Sequence, residues 1–108
     1  MISPEYSYWA TVLRWVDGDT LDMRVDLGFR LFTETRFRVL GLDTPERTEP
    51  GWSEATAYGN NFAPPGFKVA TRTHKSDSFG RWLAEVELPD GRSYSAEIIS
   101  AGLGVVYK

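Results

Sequence analysis

Residues 21 to 28 alternate without a break: Leu21, Met23, Val25 and Leu27 are separated by Asp22, Arg24, Asp26 and Gly28. On a helix, apolar side chains at that spacing would spread around the circumference, whereas on a pleated strand they line one face. The stretch is therefore a strand with one dry face and one wet face, and the dry face must close over a core. Upstream, Tyr6 to Val16 is rich in aromatic and β-branched residues, and "DGD" at Asp17 to Asp19 supplies a hairpin turn. A second turn around Gly28 leads into Arg30 to Leu42. Three consecutive strands joined by tight turns predict a meander.

"RTEPG" then interrupts, because two prolines flanking Glu46 to Glu49 and a following glycine cannot continue a strand. Ser53 is placed to cap a short helix over "EATAYGNNF", which "APPG" ends. Phe67 to Thr73 reads as a fourth strand and Gly80 to Leu88 as a fifth, with "PDG" at Pro89 to Gly91 as the next turn. Ser95 is placed to cap a last short helix through Ser100, with Gly102 as its stop. Five short strands and two small helices in 108 residues predict a mainly β (α+β) chain. The expected form is a five-stranded OB-fold barrel, a single domain over residues 1–108.

Composition narrows the functional classes. A chain that is 42% hydrophobic and 25% charged is not expected to be disordered. No apolar run reaches the ~20 residues of a membrane span, and "MISPEYSYWA" lacks the basic and apolar regions of a signal peptide. No membrane partner is expected; the default location is cytoplasmic, or secreted if a leader has been removed. The absence of cysteine removes disulfides and thiolate metal sites. A net charge of −3 argues against a broad electrostatic platform for nucleic acid, but not against a local basic site beside an acidic cluster.

Asp19 and Asp43 each stand at a strand boundary beside a turn. Such carboxylates are ordinarily solvated turn-formers, but together they offer the hard oxygen ligands that Ca²⁺ or Mg²⁺ takes. Thr44 could add its carbonyl or hydroxyl, and Pro45 holds Thr44 out of helical conformation. Arg38 lies among apolar strand residues. It is either an edge arginine paired with a surface glutamate or a guanidinium aimed at phosphate. Arg81, in "DSFGRWLAEV", poses the same choice. Glu46 is a possible base, or simply a loop glutamate among Arg47 and Glu49. His74, the sole histidine, rules out histidine-pair sites and reads as a loop residue between Arg72 and Lys75. Of the four tryptophans, Trp82 beside Arg81 is the one to consider for base stacking. No exposed apolar face of the kind an assembly protein needs stands out.

Arg38 and Asp43 differ by an odd number of positions, so an ideal strand would send them to opposite faces. They can share a site only if the strand bends, and Gly41 is the place for that bend.

Four segments in order, "VDGDTL" (Val16 to Leu21), "RVLGLDTPE" (Arg38 to Glu46), "DSFGRWLA" (Asp77 to Ala84) and "IISAGLG" (Ile98 to Gly104), are similar to the successive signatures of the staphylococcal nuclease (thermonuclease) family. The resemblance runs from about Thr11 to Tyr107 and implies the same OB-fold barrel. It implies Ca²⁺-dependent hydrolysis of phosphodiester bonds in DNA and RNA, with little sequence preference and 3′-phosphate ends. Separately from the resemblance, a monomer is the default expectation, with a dimer or a partner supplying the missing helix packing as the alternative. Position by position, Asp19 and Asp43 resemble the carboxylate ligands of the metal, and Thr44 its backbone carbonyl ligand. Glu46 matches the glutamate that activates or orients water. Arg38 and Arg81 match the two arginines that hold the cleaved phosphate, while Phe79, Leu83 and Tyr107 fall where the family lines its nucleotide pocket.

The departures are Ser78 in place of a lysine, Ser95 in place of an anchoring asparagine, a shorter segment from Arg47 to Ser76, and an end at Lys108 without the type enzyme's C-terminal helix. With the acidic balance, they lead us to expect weaker, salt-sensitive nucleic-acid binding. The competing class is an OB-fold module that binds nucleic acid or protein without reacting. A module that had lost catalysis would be expected to have gaps among Asp19, Arg38, Asp43, Glu46 and Arg81; here all five are filled.

Overall fold

The computed structural model describes residues 6–75 and 80–107. The predicted meander forms as β1 (Ser7–Asp17), β2 (Thr20–Gly28) and β3 (Leu31–Val39). Leu21, Met23 and Val25 are buried as the alternation requires, against Val12, Phe37 and Val39 from the neighbouring strands. A two-residue strand β4 (Leu42–Asp43) and helix α1 (Trp52–Phe62) follow, then β5 (Lys68–His74) and β6 (Trp82–Glu87). Helix α2 (Tyr94–Ser100) and a second two-residue strand, β7 (Val105–Val106), complete the chain.

Five strands close into a barrel in the order β1-β2-β3-β6-β5, the arrangement of an OB-fold-like α+β domain. Two features close it. Strand β1 pairs with β5 through its first half, Ser7 to Thr11, and with β2 through Ala10 to Asp17. Register shifts after Val12 and after Trp15 bend it along β2, beyond Thr11, its last partner on β5. Strand β3 then meets β6 in a parallel seam, Phe37 opposite Trp82, Arg38 opposite Leu83 and Val39 opposite Ala84.

Helix α1 lies against β1, where Gly59 makes room for the Trp15 indole. A Cβ on Gly59 would stand 2.7 Å from Trp15 Cδ2, so only glycine permits this contact without displacement. The indole Nε1 donates to the Ala63 carbonyl at 2.9 Å, and the ring tilts against Tyr94 of α2 at a centroid distance of 4.6 Å. Phe62 meets Tyr94 edge-on at 5.2 Å, so one aromatic cluster joins both helices to the barrel.

Three expectations about local structure are corrected. Helix α1 begins at Gly51, in left-handed conformation with φ 93°, and not at Ser53, which lies inside its first turn. Helix α2 is capped by Ser93, not Ser95. A bridge to Glu87 holds Ser93 extended, and its hydroxyl accepts from the Ala96 N–H at 3.5 Å. His74 is the last residue of β5 rather than a loop residue, and its Nε2 lies 2.9 Å from Glu85 Oε2.

A fourth correction concerns the surface. The β2–β3 hairpin carries Leu27, Phe29, Leu31 and Phe32 largely in solvent, with Phe29 96% exposed. Among the described residues no helix is long and apolar enough to cross a membrane.

Candidate active site

The turn Asp17-Gly18-Asp19 is fastened from three sides. Trp52 Nε1 donates to Asp17 Oδ1 at 2.5 Å, the buried Tyr94 hydroxyl donates to the Gly18 carbonyl, and Val39 N–H donates to the Asp19 carbonyl at 2.8 Å. Gly18 allows the approach of α1 and Thr44, since a Cβ there would lie 2.8 Å from Ala55 Cβ and 2.9 Å from Thr44 Oγ1. Asp19 is 6% exposed. Its Oδ1 accepts from Thr20 Oγ1 at 3.0 Å and its Oδ2 from the Thr44 N–H at 3.1 Å, so the carboxylate cannot swing freely.

The expected bend occurs. Strand β3 stops at Val39, Gly41 takes φ 75°, and the chain resumes as β4, which pairs with β7: Leu42 opposite Val106 and Asp43 opposite Val105. Arg38 and Asp43 thereby reach one site despite their odd spacing. Arg38 Nη2 lies 3.2 Å from Asp43 Oδ1, 3.5 Å from Asp19 Oδ2 and 3.2 Å from the Leu42 carbonyl. The pairing is with two aspartates, on an interior strand of the barrel, rather than with a surface glutamate at an edge. The β4–β7 ribbon also places Tyr107, whose N–H donates to the Gly41 carbonyl at 3.0 Å. Its ring lies 4.6 Å from the Arg38 guanidinium carbon.

A cavity of about 390 Å³ opens here, lined by Asp19, Arg38, Asp43, Thr44, Glu46 and Arg81, together with Arg47 and Thr48. Six of the residues singled out in the sequence are thus brought together, and Tyr107 stacks on one of them. Leu83 is half-buried opposite Arg38 in the parallel seam and does not line the cavity. Phe79 lies outside the described residues. Sequence reasoning missed Arg47, although a third basic residue close behind Arg38 was a usable signal. It also missed Tyr94, for which no local pattern exists.

The donors suit a hard divalent cation. Two carboxylates converge on one cationic nitrogen, and the buried Thr44 hydroxyl has no hydrogen-bond partner. Among the described residues no three His, Cys, Asp or Glu side chains come together. An ion here would take two carboxylates and fill its shell with carbonyl and water oxygens.

Burial, and secondarily the Asp19 carboxylate and Tyr58, push the Tyr94 phenol well above its ordinary value near 10.0. Because the folded value is the higher one, the stabilisation from keeping Tyr94 neutral is complete below the unfolded value. It is lost as pH rises beyond it, since only the unfolded chain then gives up the proton. Tyr94→Phe should lose about 1 kcal/mol at neutral pH with the Gly18 bond, yet decline less steeply above about pH 10. Urea denaturation from neutral to alkaline pH measures both; parallel declines in the two proteins would refute this account.

No family model matches the chain. It is 27% identical over 97 residues to a curated protein of Escherichia coli O157:H7 described as an uncharacterized endonuclease. The match takes in 90% of this chain, which spans 60% of the length of that relative.

Proposed function

We propose that the chain is a Ca²⁺-dependent nuclease of the staphylococcal nuclease type. It would hydrolyse phosphodiester bonds in DNA and RNA with low sequence preference and leave 3′-phosphate ends. The observation that carries the reading is the convergence of Asp19 and Asp43 on Arg38 Nη2, in a cavity that Glu46 and Arg81 also line. The similarity to a protein described as an endonuclease supports it.

In this reading the scissile phosphate enters the cavity between the two arginines. Arg38 meets the protein oxygens through Nη2, and its remaining N–H donors can take a phosphate oxygen in the fork geometry that suits guanidinium. Arg81 approaches from the start of β6. Donors already in place favour the more highly charged transition state, because little reorganisation is needed when the charge develops. Glu46 orients the attacking water and takes its proton. Asp19, Asp43 and the Thr44 carbonyl would hold Ca²⁺, which when bound supplies Lewis-acid polarisation of a phosphate oxygen. Recognition centred on phosphate is indifferent to base sequence, which is the basis for low specificity.

The test is cleavage of plasmid and single-stranded DNA, followed by labelling of the product ends. We expect cleavage with Ca²⁺, none with chelator, and new ends that polynucleotide kinase labels at the 5′ side without prior phosphatase treatment. Absence of cleavage in Ca²⁺ at every pH from neutral to strongly alkaline would leave a binding module as the better description.

A further inference from the structure

We infer that a groove at the open end of the barrel, formed by Trp82, Tyr6, Thr73, His74 and Lys75, is a stacking subsite for a nucleobase neighbouring the phosphate held at Arg81. The inference rests on the nuclease reading and adds a substrate contact to it.

Position is the first argument. Trp82 follows Arg81 directly in the chain, so the groove and the cavity of the candidate active site are both lined from the start of β6, though by no residue in common. Successive residues of a strand point to opposite faces. Leu83 shares its register position with Arg38, whereas Trp82 is opposite Phe37, on the inward-facing set. Phe37 is buried, but β6 starts at the barrel rim, and the Trp82 indole is left 51% exposed. Tyr6, beside it just before β1, is 68% exposed. The groove between them measures about 400 Å³, within the range of small-ligand sites.

Chemistry is the second argument. Two exposed aromatic faces offer stacking to any base, because every base has a π-face. Lys75 contributes a positive charge at the same groove, suited to the phosphate that accompanies the base. An aromatic platform and a cation beside a phosphate-binding arginine match successive units of one strand: base, linkage, reacting phosphate. A base paired within a duplex cannot lie on Trp82 without leaving its stack, so the subsite takes unpaired nucleotides.

The experiment compares the wild-type chain, Trp82→Ala, Trp82→Phe and Lys75→Gln. The substrates are a labelled oligothymidylate and an oligonucleotide of the same length with abasic sites flanking one cleavable linkage. For Trp82→Ala we expect a loss of roughly tenfold in kcat/KM on the oligothymidylate, no change on the abasic linkage, and recovery of most activity in Trp82→Phe. Lys75→Gln should lower the slope of log affinity against log salt by about 1. Equal losses for Trp82→Ala on both substrates, or none on either, would overturn the subsite.

Fluorescence anisotropy of the same oligothymidylate in chelator separates this from the nuclease reading. Binding that weakens in Trp82→Ala, in a protein that never cleaves, would keep the subsite and remove the enzyme. Cleavage with binding indifferent to Trp82 would do the reverse. A proline-rich peptide that binds through Trp82 where the oligonucleotide does not would also overturn the proposal.

Discussion

On the proposed reading, Arg38→Gln should reduce kcat for plasmid cleavage by ~10²–10³-fold, the loss typical when one preorganised donor to a developing anion is removed. The same substitution has a second consequence that a purely catalytic arginine would not show. Arg38 is the cation between Asp19 and Asp43, and Asp19 is 6% exposed. Without the guanidinium, Asp19 keeps its bonds from Thr20 and Thr44 but loses the partner for its charge. Stability should fall by about 1–3 kcal/mol, the penalty of a buried group left short of a partner.

A divalent cation can take over that neutralisation, so added Ca²⁺ should raise the melting temperature of Arg38→Gln more than that of the wild type. Thermal denaturation with and without Ca²⁺ reads this directly and needs no substrate. If Ca²⁺ shifts both proteins equally, the two carboxylates do not share an ion.

Glu46→Gln behaves differently. Glu46 is exposed, and its backbone N–H is held by Glu49 Oε1 at 2.7 Å, so exchanging the carboxylate for an amide disturbs neither packing nor the turn. The melting temperature should be unchanged. Loss of a general base lowers kcat by ~10²–10⁴-fold. KM should move little, because Glu46 contacts water rather than phosphate in the proposed geometry. A variant that raises KM while keeping kcat would place Glu46 among binding groups and remove it from proton transfer.

The barrel was legible where one face of a strand is dry. Leu21, Met23, Val25 and Leu27 carry a period that no other element satisfies, and the turns at Gly18 and Gly28 punctuate it. The two-residue strands β4 and β7 were not, because two residues have no period; their pairing depends on where the barrel carries both segments. The parallel β3–β6 seam joins distant stretches, and nothing in either stretch announces the other.

The helix caps failed for a related reason. Ser53 and Ser95 are good cap residues by type, but Gly51 and the Glu87–Ser93 bridge set the entry angles first. The bend at Gly41 was legible from parity alone, since Arg38 and Asp43 could meet in no other way. The exposed hairpin apolars escaped because the alternation marking Leu27 as inward outlasts the barrel that could cover it.

The β3–β6 seam also imposes an order of events. Arg38 is on one side of it and Arg81 on the other, with β4, α1 and β5 in the intervening chain. Contacts that must close so long a loop carry its entropy cost and tend to form late. A chain that has made only its first hairpins already has Asp19 next to β3, but it has no Arg81 against which to set a phosphate. On the proposed reading, an unfinished molecule is harmless to the nucleic acid around it. On that reading, the closing of the barrel would act as a safety catch that releases only when folding is complete.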